Sequence, residues 1–307
     1  MQETKSSFFK VKKKYLALIK KQENFGEKFY DKIGQLKDFY LPICDLIYKT
    51  YLLKNKTIVI GLSGAQGTGK TTVSKILKTI LNNKFKVNTV CFSIDDFYKT
   101  RKDRKVMSKK KHRLFLTRGV PGTHDTILMR QTLKKLLRRK FKPFYLPKFD
   151  KSIDDRMSKK NWKKIVKKPQ IVIFEGWCVS AKPQNGIQLL NPVNTLEKKN
   201  DKNLIWRKEV NNQLKKNYKS VFKLIDKKIY LKVPNFNYVF KWRLLQEKKL
   251  KLRLKSRRKK IMTKDQVKGF IMYYERITCQ MLKDFRKNFD VVLKIDSNHK
   301  FTDMKLY

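Results

Sequence analysis

Histidine and cysteine are scarce in this sequence, three and four among 307 residues. Cys44, Cys91, Cys178 and Cys279 lie far apart and form no CxxC pair, which argues against a disulfide framework or a structural zinc site. Acidic residues are short as well: 25 Asp and Glu stand against 77 Lys and Arg, a formal net charge of +52. No apolar run approaches the roughly 20 residues that a membrane span needs. Lys10, Lys12, Lys13, Lys14, Lys20 and Lys21 interrupt the N-terminal stretch in which a secretory signal would carry its apolar core. A soluble protein in a reducing, cytoplasmic setting is the expectation. What the chain does have is 40% hydrophobic and 12% aromatic residues, enough for a real core, so whole-chain disorder is excluded.

The charge invites a nucleic-acid reading, because clustered cations gain affinity for a phosphate backbone by releasing counterions. A binding arm would gather its charge in a polar block. Here the lysines are spread over nearly every helical stretch, between Leu, Ile, Phe and Tyr, as a compositional bias at exposed positions would place them. The densest part is 241–260, where 11 of 20 residues are Lys or Arg. Trp242, Leu244, Leu245, Leu250, Leu252 and Leu254 interleave there, so it reads as a basic amphipathic helix.

Residues 8–54 read as two or three amphipathic helices, with Phe8, Val11, Tyr15, Leu18 and Ile19 at helical spacing and Pro42 at a break or helix start. They carry no chemical signature, and 1–54 is taken as a helical N-terminal extension. From residue 57 short apolar runs alternate with helices. The runs 57–62, 87–92, 171–174, 229–233 and 291–295 predict strands, separated by helices at about 71–83, 125–139, 207–224, 238–258 and 263–287. The expected fold class is therefore α/β, a three-layer α/β/α domain over 55–307 with a five-stranded, mainly parallel sheet. Residues 182–203, with Pro183, Gly186, Pro192 and several Asn, read as an exposed loop or insertion.

Glycine is rare, yet Gly61, Gly64, Gly67, Gly69, Gly119, Gly122 and Gly176 fall in three short segments. The first contains Gly64-Ala-Gln66-Gly67-Thr68-Gly69-Lys70-Thr71, a complete GxxxxGK[ST] between a strand and a helix. Its backbone N–H groups and the helix N-terminus converge on phosphate. Lys70 would bridge β- and γ-phosphates, the Thr71 hydroxyl would ligate Mg²⁺, and Thr72 would reach the α-phosphate. The second, Ile171-Val-Ile-Phe-Glu175-Gly176, ends an apolar strand in a carboxylate placed to hold Mg²⁺ directly or through water. Ser93-Ile-Asp95-Asp96-Phe-Tyr98 follows the second strand. There an acid can accept the proton of a phosphoryl acceptor, and one of the pair can instead cap a helix start. Two further polar clusters, Arg118-Gly-Val-Pro-Gly-Thr-His124-Asp125 and Pro147-Lys-Phe-Asp150-Lys151-Ser152 with Arg156, leave two readings open. They are either caps and loop contacts or the hydroxyl- and carboxylate-binding groups of a small acceptor.

Together these segments resemble the D-glycerate 3-kinase family, within the phosphoribulokinase/uridine kinase group of P-loop kinases. The matching stretches are 61–72, 93–98, 118–125, 147–156, 174–179, 239–247 and 262–278, in order along the chain. The resemblance implies a P-loop NTPase fold and ATP- and Mg²⁺-dependent phosphorylation of a small-molecule hydroxyl, D-glycerate first. It implies that Asp95 is the base, with Asp96 beside it, and that His124, Asp125, Asp150 and Arg156, with Arg118 and Lys151, shape the acceptor pocket. It also implies an arginine-bearing lid at about 239–262, with Arg243 its best-matched cation toward the nucleotide. Val120 stands where the family has Asn, Ser180 where it has Gly, and 152–156 lacks the usual glycines. Another acceptor, such as a nucleoside or pantothenate, remains the alternative, and a nucleic-acid-associated ATPase a more distant one. No membrane and no specific nucleic acid are expected as partners, and the sequence leaves the oligomeric state open.

Overall fold

The apolar residues of the central strands alternate in direction, so each strand has to be covered on both sides. The computed structural model describes the backbone of residues 2–253 and 262–307, and the side chains of 8–248 and 262–307. Its main sheet consists of β1 (Ile58–Gly64), β2 (Thr89–Ser93), β3 (Ile171–Gly176), β4 (Lys227–Lys232), β5 (Val291–Ile295) and β6 (Phe301–Leu306). The order across the sheet is β6-β5-β4-β1-β3-β2. The first five strands are parallel to their neighbours, and β6 runs antiparallel beside β5.

All five expected strands are present, shifted by a few residues, and the sheet has a sixth strand beyond the expected five. β6 escaped the sequence because Phe-Thr-Asp-Met-Lys-Leu has no apolar run: it is an edge strand whose Phe301 alone is buried.

One sheet face, with Ile58, Ile60, Leu62, Ile171, Ile173, Ile229, Leu231 and Leu293, packs on N-terminal helices and on α3 (Lys70–Lys84). The N-terminal contribution comes from α1 (Gln2–Glu23), through Val11, Tyr15 and Ile19, and from α2 (Leu41–Lys54), through Ile43 and Ile47. Pro42 sits in the first turn of α2, where its missing N–H costs nothing. The opposite face, with Val59, Val172, Phe174, Tyr230 and Val292, is covered by three further helices: α4 (Thr126–Leu137), α5 (Ile205–Gln213) and α7 (Lys264–Asn288). Residues 8–54 thus share one side of the layered core with α3.

The expected helix over 207–224 is broken. α5 gives way to one wide π-type turn at Leu214–Tyr218 before Lys219–Phe222, which turns Tyr218 into full burial. The stretch 182–203 is less open than expected. It holds two short helices, Gly186–Leu190 and Thr195–Asn200, capped by Asn185 and Asn194. The lid region expected at about 239–262 begins as α6 (Phe236–Arg253), and residues 254–261 of it lie outside the described residues. Between α4 and β3, two small hairpins pair Phe144–Leu146 with Lys163–Ile165 and Phe149–Asp150 with Asp155–Arg156.

Candidate active site

The strand order puts β3 between β1 and β2, and the parallel register places three chemistries side by side at the carboxyl ends. Glu175 pairs in register with Leu62 of β1 on one side and Ser93 of β2 on the other. The phosphate loop leaves β1, and Asp95 follows β2, so Glu175 lies between them. In open α/β sheets this carboxyl edge is where ligands bind.

Within the phosphate loop, Gly67 and Gly69 have φ of +84° and +79°, conformations that exclude most other residues. A Cβ on Gly67 would also stand 2.6 Å from the Trp242 Cβ at the root of α6. The His299 ring, tilted by 32° against Trp242 with centroids 4.1 Å apart, has its Nε2 2.7 Å from the Gly67 carbonyl. The Thr68 hydroxyl and the Lys70 ammonium both donate to the Ala65 carbonyl, at 2.9 and 2.8 Å. Burial lowers the Lys70 pKa, opposed by the carboxylates of Glu175 and Asp95. Gln66 carries two buried amide atoms with no hydrogen-bond partner among the described residues. Thr72 follows in the first turn of α3, half-buried.

The Thr71 hydroxyl donates to Glu175 Oε1 at 2.9 Å. Burial raises the Glu175 pKa, and Lys70 acts against that rise. A hydroxyl and a carboxylate form the hard-oxygen pair that Mg²⁺ takes when phosphates and water supply its other ligands. Among the described residues no group of three His, Cys, Asp or Glu forms a protein-only metal cage.

Asp95 is held from both sides. The Tyr98 hydroxyl donates to Oδ1 at 2.9 Å and the Lys151 ammonium to Oδ2 at 2.6 Å. Burial alone would raise its pKa, but the Lys151 ammonium and the hydrogen bond from Tyr98 hold it well below the usual carboxylate range. Its neighbour differs: Asp96 accepts from the backbone N–H of Ser93, closing a capping box, and pairs with Lys148 at 2.9 Å. Of the two aspartates, Asp96 is thus the one that caps, while Asp95 faces Tyr98 and Lys151.

The Ser93–Tyr98 and Arg118–Asp125 motifs are joined by backbone. Lys99 donates to the Thr123 carbonyl at 2.8 Å, and Asp125 to that of Phe97 at 2.7 Å. This brings His124 against Tyr98, rings stacked 4.4 Å apart. His124 Nδ1 lies 2.6 Å from the Tyr218 hydroxyl, which also accepts from the Gly122 N–H. Burial pushes the His124 pKa down to about 3, so the ring is neutral. Asp125 caps α4 by accepting from Leu128 N, and Arg156 joins it at 3.2 Å while also donating to the Tyr98 carbonyl. Arg118 pairs with Asp154 and lies over the Phe149 ring. Asp150 accepts from the Ser152 N–H and hydroxyl, shaping the hairpin tip that carries Lys151. Arg243 pairs with Glu247 in α6 and lies over Phe270 of α7.

Thus Lys70, Thr71, Glu175, Asp95 and Lys151 form one electrostatic cluster, while Arg118, Arg156, Asp125 and Asp150 brace the turns and the hairpin beside it. Sequence reasoning missed Tyr218, Trp177, Tyr274 and Asp154. Trp177 Nε1 donates to the Gly119 carbonyl at 3.0 Å, and a Cβ at Gly119 would meet the Tyr274 hydroxyl at 2.2 Å. Trp177, Asp154 and Tyr274 lie inside the stretches 174–179, 147–156 and 262–278 without having been singled out there, and Tyr218 had no motif to mark it. Of the departures from the family pattern, Val120 is buried in the core. Ser180 holds φ at +66°, the left-handed conformation for which glycine is the natural occupant.

A profile of the phosphoribulokinase/uridine kinase family matches residues 59–207. The uncharacterised kinase mug58 of Schizosaccharomyces pombe is 33% identical over 229 residues, covering 72% of this chain and 79% of that protein. The chloroplastic D-glycerate 3-kinase of Arabidopsis thaliana is 30% identical over 200 residues, 62% of this chain and 41% of that protein. The solved structure of D-glycerate 3-kinase from Cryptococcus neoformans superposes with a TM-score of 0.73, covering 87% of this chain and 99% of that one. At 22% identity that last likeness speaks for the fold.

Proposed function

We propose D-glycerate as the phosphoryl acceptor of this chain, which belongs to the phosphoribulokinase/uridine kinase family and is an ATP-dependent phosphotransferase. The observation that carries the reading is the meeting of Lys70, the Thr71–Glu175 pair and Asp95 at the carboxyl ends of three adjacent strands. The acceptor assignment draws support from the likeness to the Arabidopsis D-glycerate 3-kinase and from the cations gathered beside Asp95.

In this reading the phosphate loop N–H groups and Lys70 bind the β- and γ-phosphates, and Lys70 turns from the Ala65 carbonyl to the charge that builds in transfer. Thr71 and Glu175 would hold Mg²⁺, whose charge offsets that of the phosphates when it is bound. Asp95 orients the acceptor hydroxyl and takes its proton. Tyr98 fixes the carboxylate, and the neutral His124 behind it, tied to Tyr218, keeps the Tyr98 ring in place. The second aspartate, Asp96, holds the turn. Arg243 closes on the nucleotide side from α6.

The test is ATP consumption by the purified chain against D-glycerate, other hydroxy acids, pantothenate, uridine and sugars. D-glycerate is expected to give the highest kcat/KM. The Lys70→Ala variant, folded as judged by circular dichroism, is expected to lose turnover with every acceptor, because the side chain serves phosphate rather than the core. A different preferred acceptor refutes glycerate, and undiminished turnover in the variant refutes the phosphate-loop assignment.

A further inference from the structure

The ion pair between Lys151 and Asp95 conflicts with the role just given to Asp95. A base that must take a proton is gripped at Oδ2 by an ammonium at 2.6 Å, and the same contact depresses its basicity. The neighbouring cations are committed elsewhere: Lys148 to Asp96, Arg118 to Asp154, and Arg156 to Asp125 and the Tyr98 carbonyl. Lys151 thus differs from these three in sitting on the reacting carboxylate itself.

Its placement also differs. Lys151 stands at the tip of the hairpin Phe149–Asp150/Asp155–Arg156, with its side chain 61% exposed. A long side chain at such a position can swing without opening the core. Asp95 does not depend on it for orientation, because Oδ1 is held separately by Tyr98, whose ring is stacked on buried His124. An acceptor hydroxyl bonded to Oδ2 would carry any carboxylate on the adjacent carbon into the reach of the Lys151 stem.

We propose that Lys151 reads the carboxylate of a hydroxy-acid acceptor and by doing so arms the base. Its ammonium either clamps Asp95 Oδ2 or binds the acceptor's carboxylate, and only the second arrangement leaves Oδ2 able to take the hydroxyl proton. This rests on the hydroxy-acid kinase reading above. In the armed arrangement the acceptor oxygen bonds to the γ-phosphorus. The bond from that phosphorus to the bridging oxygen breaks with its electron pair left on ADP, and the hydroxyl proton passes to Asp95. Neutral polyols of the same size fill the pocket without releasing the clamp, so the enzyme discriminates by charge.

The experiment compares D-glycerate with glycerol, in which a CH2OH group replaces the carboxylate. Steady-state kcat and KM are measured for the full chain as wild type, Lys151→Ala and Lys151→Arg. The wild type is expected to favour D-glycerate strongly. Lys151→Ala should raise KM for D-glycerate by about 10- to 100-fold, the worth of one charge-assisted hydrogen bond, while kcat with glycerol rises because the clamp is gone. Lys151→Arg should restore part of the preference for the acid. If Lys151→Ala keeps the wild-type ratio between the two acceptors, the carboxylate is read elsewhere and the proposal falls. If it lowers kcat with both acceptors alike, Lys151 is not a clamp and the proposal falls as well. A failure of the underlying reading shows differently, in the wild type alone, as no preference for D-glycerate over glycerol or no turnover with either.

Discussion

At the scale of single residues, the two consecutive aspartates separate cleanly. Asp95 faces Tyr98 and Lys151 in the cluster around Lys70, whereas Asp96 closes the capping box on Ser93 and pairs with Lys148. Replacing Asp95 by Asn keeps the shape and removes the proposed base, so kcat should fall by about 10²-fold or more while ATP affinity holds. Asp96→Asn weakens a cap, which costs about 1 kcal/mol of local stability, and kcat should change far less. Turnover and nucleotide-binding measurements on both variants check the ranking. The inverse order would exchange their roles. The residue pattern by itself left the pair undivided and only the family resemblance pointed to Asp95, because the division depends on which one the tyrosine three or two positions onward can reach.

At the scale of elements, the insertion at 182–203 shows what a polar sequence conceals. Glu197 is almost fully buried and accepts two hydrogen bonds from Arg276 of α7, at 2.8 and 2.6 Å, with Arg207 of α5 at 3.6 Å. Removing one partner leaves buried charge uncompensated, so Glu197→Ala should destabilise the fold by about 3–5 kcal/mol. Urea unfolding measures this, and the KM for ATP should be unchanged in the fraction that folds. The strands β1 to β5 were legible because β-branched runs between glycines and helices leave little choice. So was the phosphate loop, whose residue types are fixed by its chemistry. The buried Glu197 network, the π-type turn that presents Tyr218, and β6 were not, because each owes its form to partners far away in the chain. Tyr218 in particular has an ordinary lysine-rich neighbourhood in sequence, and its importance follows from His124, 94 residues earlier.

At the scale of the whole molecule, a net charge of +52 spread over both layers of helices is a field rather than a site. Nucleic acid should bind weakly, without sequence preference, and dissociate steeply as salt rises. ATP turnover at physiological salt should therefore respond to the small acceptor and ignore added DNA or RNA. A several-fold stimulation by polynucleotide, with no hydroxyl compound able to match it, would move the protein to a different class. The closure of the fold carries a further consequence. Gln35 donates to the Phe301 carbonyl and accepts from the Phe301 N–H, at 2.9 and 2.8 Å across 266 positions, and His299 meets the phosphate loop at Gly67. During folding the turn that carries Gln35 must therefore wait for a strand 266 positions further along the chain. The phosphate loop gains its histidine brace only after a partner 232 positions later in the chain has docked. Until then the apolar flank around Tyr40 and Phe39, which Phe301 will cover, faces water. Contacts of such separation form late and together, so the ordering of the phosphate loop should come as one late cooperative step of folding.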